Sequence, residues 1–251
     1  MSGHNKWSSI KHQKGAADAK RGQLFTKLTR EIMVAVREDG ANLESNFRLR
    51  LAVDKARAAN MPLDNIDRAI QRGSGTADGA SLVEMLFEGY GPGGSAILVE
   101  ALTDNRNRTV QEVRNLFSRS GGSLGEAGSV AWLFEQKGLI TAEPNGLDPD
   151  EVTLKAIDAG AEDVVADKDF IEIYTKPGAL ETVKGVLEKS KIHIGSAEVC
   201  KAAKTTIELD DKASLQTLRL LHKLEELDDV RCVYSNVNFS SAVMKKYEEE
   251  A

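Results

Sequence analysis

Residues 82–109, "LVEMLFEGYGPGGSAILVEALTDNRNRT", contain the clearest secondary-structure signals in the chain. Two segments of β-type composition, "LVEMLFEGY" and "SAILVEALT", flank "GPGG", where the glycines tolerate positive φ and Pro92 fixes its own φ. This pattern predicts a β-hairpin. The following "RTVQEVRNLFSRSG" places Val110, Val113 and Phe117 on one face of a helix. A hairpin followed by a helix indicates an α+β or α/β domain.

The chain downstream alternates between strand and helix patterns. Strand, helix, strand, strand, helix, strand is the order of a ferredoxin-like unit, and it is predicted for "GLITAE" and for residues 148–159, 163–166, 169–175, 178–190 and 192–199. "SVAWLFEQ" just upstream is also predicted to be a strand. A strand at "TTIELD", a helix over 212–227 and a strand over 230–235 would then complete the sheet begun at residue 82.

The residues before the hairpin show helical periodicity. Leu24, Leu28, Ile32 and Val36 recur every four residues, Lys27, Arg30 and Arg37 fall on the opposite face, and Gly40 is a candidate left-handed cap. A second helix is predicted after Ser45 or Asn46, either of which can cap it. A third opens at Pro62 and ends at Gly73. Three short helices predict a bundle, because one alone buries too little apolar surface.

These patterns predict an α+β fold, in which an N-terminal three-helix bundle is followed by two ferredoxin-like α/β domains. The expected domains are a basic arm and bundle over 1–75, a discontinuous α/β domain over 82–137 plus 204–238, and an inserted ferredoxin-like domain over 138–203. "GSGTADGAS", residues 73–81, has the composition of a linker.

Charge is distributed unevenly along the 251 residues, whose formal net charge is −6. Residues 1–30 contain seven Lys or Arg and one Asp, residues 31–75 balance to zero, and the remaining residues carry a net charge of −12. A cationic segment joined to an anionic body indicates a polyanionic partner for the cationic end. Because the acidic remainder repels phosphate, contact should be confined to one region.

The cationic segment is the strongest candidate for a binding site. In "GHNKWSSIKHQKGAADAKRG", residues 3–22, lysines alternate with a tryptophan and a histidine, which suits phosphate contact and base stacking. Alternatively, Trp7 and Ile10 pack on the bundle and the lysines are only solvated. The candidate nucleic-acid-binding residues are Lys6, Trp7, Lys11, His12, Lys14, Lys20, Arg21, Lys27 and Arg30.

"TDNRNRT", residues 103–109, lies between a predicted strand and a predicted helix. Arg106 and Arg108 beside the positive end of the helix dipole could bind an anion. In the alternative, Asn107 or Thr109 caps the helix and the arginines pair with nearby glutamates. Both interpretations stay open from sequence.

No pattern in the sequence demands catalysis, a cofactor or a metal. "GYGPGG" lacks the ending of a P-loop and is interpreted as a turn, and the four histidines show no ligand spacing. Two distant cysteines favour a reducing, cytoplasmic setting. No secretory signal or membrane-spanning run is expected. Exposed strand edges are compatible with a homodimer.

The chain resembles the YebC/PmpR family, whose mitochondrial relatives include a translational activator of cytochrome oxidase. The resemblance covers about residues 2–240 and is carried by "GHNKWSSIKHQKGAADAKRG", "LFTKLTREI", "EGYGPGG", "TDNRNRT" and "GSVAWLFE". It implies an N-terminal helical domain, two α/β domains, no cofactor and no known catalysis. The basic front end of the family corresponds here to "HNKW" and the lysines of "IKHQKGAADAKRG".

The resemblance implies a non-enzymatic regulator of gene expression that acts in one of two ways. Bacterial members are described as DNA-binding transcriptional regulators, whereas another line acts on translation, associating with the ribosome and easing synthesis through proline-rich stretches. The expected partner is therefore DNA and/or ribosomal RNA. An enzyme with an anion site at "GYGPGG" and "NRNRT" is the third alternative.

Overall fold

A helical domain opens the part of the chain described by the structure, a computed structural model that covers residues 18–75, 82–143, 147–166 and 170–250. Helices α1 (Asp18–Asp39), α2 (Phe47–Ala58) and α3 (Leu63–Ser74) pack around one apolar core. Three of the four residues of the predicted stripe, Leu28, Ile32 and Val36, lie in this core and are each less than 4% exposed, whereas Leu24 is exposed. Periodicity therefore located the bundle correctly.

The α1–α2 turn is held by the buried side chain of Asn46. Its Oδ1 accepts the Leu49 N–H at 2.8 Å as the N-cap of α2, and its Nδ2 donates to the carbonyls of Ala35 and Gly40, each at 2.7 Å. Gly40 has φ +85°, the left-handed conformation predicted from sequence. Asn46 thus satisfies backbone groups at the end of one helix and the start of the next.

Gly73 has a different role from the predicted helix end. It lies within α3, which continues to Ser74 and packs closely on α1. A Cβ on Gly73 would lie 2.8 Å from the Cβ of Val36 and 3.0 Å from the carbonyl oxygen of Met33. Close helix contact, rather than a turn, explains why glycine occupies this position.

Two four-stranded sheets form the rest of the described structure. In chain order, the elements after α3 are β1 (Val83–Tyr90), β2 (Ala96–Thr103), α4 (Arg106–Arg119), β3 (Ser123–Leu124), β4 (Phe134–Glu143), α5 (Pro149–Asp158), β5 (Asp163–Ala166), β6 (Ile171–Thr175), α6 (Leu180–Lys189), β7 (His193–Ala203), α7 (Asp211–Glu225), β8 (Val230–Ser235) and α8 (Ser241–Glu250). Among the described residues, Glu135–Ala202 form one compact unit, and the residues on both sides of this segment form the other.

The first sheet has the order β3-β1-β2-β8 and joins segments that are distant in sequence. β1 and β2 form the predicted hairpin, in which Val83 faces Thr103 and Tyr90 faces Ala96. β8 pairs antiparallel with β2, so a strand more than 120 residues further along the chain completes the sheet that begins with β1. Helices α4, α7 and α8 bury apolar residues in the core on this sheet.

The second sheet belongs to the unit Glu135–Ala202 and has the order β5-β6-β4-β7. With two helices following its first and third strands, this order is that of a ferredoxin-like unit. Ile140, Ile171 and Ile173 are fully buried, as are Leu180 and Leu187 of α6. The predicted α+β fold class is confirmed.

Two local predictions are corrected, and one helix was not predicted. "TTIELD" forms only an isolated bridge, between Ile207 and Val237, because its backbone pairs with residues after β8 rather than with a strand. "SVAWLFEQ" contains a turn of 3-10 helix over Ala131–Leu133, and β4 begins only at Phe134. Helix α8 had no counterpart in the sequence analysis; Val243, Met244 and Tyr247 bury its apolar side.

Replacing Gly73 should test the close contact between α1 and α3. We expect Gly73→Ala to lower the free energy of unfolding by about 1–3 kcal/mol, because the added methyl overpacks a tight contact. The matched control is Gly22→Ala, at an exposed position of α1 where nothing lies within 4 Å of the new Cβ. This control should raise the free energy of unfolding by about 0.5–1 kcal/mol. Urea unfolding followed by circular dichroism measures both; equal effects would contradict the packing role of Gly73.

Candidate nucleic-acid interface

Of the predicted interface residues, the structure describes the side chains of Arg21, Lys27 and Arg30. Lys6, Trp7, Lys11, His12 and Lys14 lie outside the described residues, as does the side chain of Lys20, although its backbone belongs to α1. Arg21 is exposed, and its guanidinium carbon lies 6.0 Å from the centre of the Phe25 ring. A guanidinium resting over a ring keeps its outer edge available to an anion.

Lys27 and Arg30 instead face the residues that precede β8. The Lys27 ammonium donates to the carbonyl of Glu225, and Arg30 Nη1 donates to the Asp228 carbonyl and to Asp229 Oδ1, each at 2.9 Å. One turn earlier, Gln23 Nε2 donates to Asp228 Oδ1 at 2.8 Å. This side of α1 is therefore covered by another part of the chain, whereas its periodicity alone indicated a solvated face.

Asp229 gathers donors from three segments of the chain. Its carboxylate is 2% exposed and pairs with Arg30 of α1 and, at 2.7 Å, with Nη2 of Arg108 in α4. The hydroxyls of Thr103 and Thr109 donate to Oδ2 at 3.0 and 2.7 Å. A buried carboxylate needs such partners, because an unpaired charge inside a protein is strongly unfavourable.

The surroundings of Asp229 determine its protonation state. Burial would raise the pKa of this carboxyl, but hydrogen bonds from Arg108, Thr109 and Thr103, together with the charge of Arg108, hold the pKa below its ordinary value. Asp229 is therefore ionised at neutral pH. The same contacts raise the pKa of Arg108, with the hydrogen bond to Asp229 as the largest cause.

"TDNRNRT" is largely accounted for by this cluster. The helix cap is Asn105, whose Oδ1 accepts the Arg108 N–H at 3.1 Å, so the predicted caps Asn107 and Thr109 are corrected. Arg108 pairs with Asp229 and Asp104, which are aspartates rather than the expected glutamates. Arg106 is exposed in the first turn of α4. Both candidate anion-binding arginines are exposed, but Arg108 is paired with Asp104 and Asp229.

A second set of ion pairs joins the helical domain to the first sheet. Arg231 of β8 lies between Glu31 of α1 and Glu100 of β2, and Arg48 of α2 lies between Glu38 and Glu84. Together with the Asp229 cluster, these pairs fix α1 and α2 on the sheet. The exposed side chains of α1 are thus held in a defined orientation relative to β8.

Glu88 explains the "EGYGPGG" and "GSVAWLFE" motifs structurally. Its buried carboxylate accepts the N–H groups of Gly128, Val130 and Ala131, each at 2.7 Å. Burial would raise the pKa of Glu88, but these three hydrogen bonds lower it. The predicted turn is confirmed, with positive φ at Gly93 and Gly94. Both motifs therefore hold loops to the sheet.

Two kinds of feature are absent from the described residues. No three His, Cys, Asp or Glu side chains there approach closely enough to hold a metal ion. No helix in these segments is both long and apolar enough to cross a membrane.

The fold defines a class of protein with a three-helix domain followed by two α+β domains. Residues 5–76 match the TACO1/YebC N-terminal domain, and residues 82–237 match the TACO1/YebC second and third domains. The chain belongs to the TACO1/YebC family.

Relatives of known sequence and structure cover nearly the whole chain. A probable transcriptional regulatory protein of Dehalococcoides mccartyi is 56% identical over the full length of both chains. One of the same name from Herpetosiphon aurantiacus is 51% identical, again over both full lengths. The crystal structure of a conserved hypothetical protein from Aquifex aeolicus has a TM-score of 0.84 and 46% identity, and the match covers 91% of this chain and 94% of that one.

Removing the charge of Asp229 should weaken the joint between the helical domain and the sheet. We expect Asp229→Asn to lower the free energy of unfolding at pH 7 by about 1.5–3 kcal/mol, because an amide replaces only in part the charge-assisted hydrogen bonds that the buried carboxylate accepts. The folded-state pKa lies below the unfolded value of about 3.9. The stabilisation is therefore fully present above pH ~5 and fades as the pH falls through the folded pKa.

Urea unfolding of wild type and variant at pH 7 and pH 3 measures this difference. The gap between the two proteins should narrow at the lower pH. Asp104→Asn, which changes the exposed partner of the same arginine, is the control and should have little effect. An Asp229→Asn protein as stable as wild type at pH 7 would contradict the role of the cluster.

Proposed function

We propose that this protein is a non-enzymatic, nucleic-acid-binding regulator of gene expression that binds DNA. The observation that carries the proposal is the charge asymmetry, a net +6 over residues 1–30 against −12 over residues 76–251. Cations gathered in one segment release counterions from a phosphate backbone, which favours binding. The names of the relatives, probable transcriptional regulatory proteins, support a role in transcription.

Within the first 30 residues, the proposal assigns phosphate contact to Lys6, Lys11, Lys14, Lys20 and Arg21. Trp7 and His12 would stack on bases or sugars. Lys27 and Arg30 already meet acceptors near β8, so their proposed role is to hold α1 in place. The binding segment would then extend from a helix whose far side is anchored on the sheet.

RNA is the second candidate partner, because an aromatic ring and an imidazole lie among the lysines. Single-stranded RNA exposes unstacked bases on which such rings can lie, and ribosomal RNA presents crowded phosphates. Binding preference distinguishes the two partners, because a transcriptional regulator must bind its promoter far more tightly than random DNA.

Neutralising lysines of the cationic stretch 3–22, which we call the arm, should reduce the salt dependence of binding. With about five phosphate contacts, log K should fall with log salt at a slope of roughly −4.5 on duplex DNA and −3.5 on single strands. We expect the triple variant Lys6→Gln, Lys11→Gln, Lys14→Gln to make the duplex slope shallower by about 2.7. Fluorescence anisotropy from 50 to 200 mM salt gives the slope directly.

A control variant matches the loss of charge at another place. Lys176→Gln, Lys189→Gln, Lys191→Gln removes three exposed lysines from the unit Glu135–Ala202 and should leave the slope unchanged. Promoter DNA bound at least a hundred times more tightly than random DNA would support transcriptional regulation. Ribosome binding with featureless DNA binding would favour translation. If the arm variant binds like the control, the arm is not the contact.

A further inference from the structure

Helix α4 presents an outward face without a carboxylate. Its exposed residues are arginines, amides and one serine: Arg106, Asn107, Arg108, Gln111, Arg114, Asn115, Ser118 and Arg119. Its single acidic residue, Glu112, is partly buried. Solvated helix faces usually mix both signs of charge, so four arginines with no exposed acid, in a region of net −12, form an unusual surface.

Helix α7 adds a narrow cationic stripe. Its exposed positions after the first residue are Lys212, Gln216, Arg219 and Lys223. The spacing of four, three and four residues aligns them along one line of the helix. The remaining positions are buried or partly buried, because α7 packs on the sheet and contacts both α4 and α8. Apart from Asp211 in the first turn, the exposed positions of α7 carry no carboxylate.

The two faces lie side by side. Val113 and Phe117 of α4 and Leu218 and Leu221 of α7 are fully buried in one core on the same side of the first sheet, and the two helices are in contact. Side chains opposite the buried ones must therefore point outward from a common layer. We call this surface, formed by the exposed residues of α4 and α7, the α4–α7 face.

The geometry points to a second nucleic-acid contact on this protein: we propose that the α4–α7 face binds the phosphate backbone of a nucleic-acid double helix. The inference rests on the proposed nucleic-acid binding and adds a surface to it that is separate from residues 1–30. The exposed residues of α4 and α7 include seven cations and one carboxylate, that of Asp211. Arg108 is paired with Asp229 and with Asp104, which precedes α4.

The shape of the face favours backbone contact over reading of bases. A helix enters the major groove, about 12 Å wide, only when it protrudes from the protein. Here α4 lies beside α7, which exposes only one line of residues. Neither helix protrudes alone, and the two together form a broad layer. Such a layer meets the ridges of a duplex, where arginine, lysine and amide side chains bind phosphate oxygens. Its length of about 21 Å along α4 spans several phosphates.

Anchoring of α4 supports this assignment. Arg108 is tied to the buried carboxylate of Asp229, and Asn105 caps the helix start, so the first turn is fixed. Phe117 fixes the last turn, because it is fully buried and packs within 2.9 Å of where a Cβ on Gly89 would lie. Exposed cations on a fixed helix lose less conformational freedom on binding than those of a loop.

The test combines two full-length triple variants and the control variant. The face variant is Arg114→Gln, Arg119→Gln, Lys223→Gln, all exposed positions that should not affect folding. The arm variant and the control variant are those defined above. Each protein is titrated by anisotropy against a DNA duplex, an RNA duplex and a single strand, at several salt concentrations. Circular dichroism confirms that each is folded.

We expect the face variant to bind both duplexes roughly 10- to 100-fold more weakly than the control at 100 mM salt, with a slope shallower by about 2–3. The losses of the face and arm variants should add when the two are combined. A face variant that binds duplexes like the control overturns the inference and leaves the proposed function standing. A loss confined to the single strand overturns the duplex assignment. A wild-type protein that binds none of the three overturns the proposed function itself.

Discussion

The buried carboxylate of Asp229 is the interaction on which the arrangement of the helical domain and the first sheet depends. It accepts donors from Arg30 of α1, from Arg108 and Thr109 of α4, and from Thr103 of β2. These groups are more than 70 residues apart in sequence at the extremes. This one carboxylate therefore fixes the position of α1 and the orientation of α4 relative to β2, the strand that precedes it. Losing it would remove the one carboxylate that Arg30 and Arg108 share.

The same cluster changes how the charge of the chain should be interpreted. Counting residues assigns Lys27 and Arg30 to the cationic segment, yet each donates to an acceptor of its own chain. Such cations contribute less to an external field than exposed ones, because their charge is already compensated nearby. Conversely, the exposed arginines of α4 lie in a region whose net charge is strongly negative. Local geometry, not the sum over a segment, decides where a phosphate can bind.

Sequence patterns predicted those features that arise within a short stretch of chain. The four-residue spacing from Leu24 to Val36, the hairpin at "GPGG" and the strand-helix order from residue 138 are local signals, and each corresponds to an observed element. Asn46 was one of two candidate caps for the same reason. Where a distant partner decides, the patterns failed. Gly73 is required by Val36 across a helix contact, and "TTIELD" is drawn to the residues after β8.

In the candidate site, too, sequence patterns indicate local features but miss those that depend on a distant partner. The arginines of "NRNRT" are recognisable as candidates from the sequence. The Asp229 carboxylate that pairs with Arg108 lies 121 residues further along the chain, so no local pattern could show that this arginine is tied. The sequence did not indicate the cationic stripe on α7, because its cations lie among leucines, whose pattern predicts only a helix packed on a core. An acidic body with cationic surfaces has a physical advantage for a nucleic-acid-binding protein: repulsion outside the cationic surfaces limits the orientations in which a duplex can approach. In that view the net charge of −6 supports selective contact with phosphate rather than opposing it.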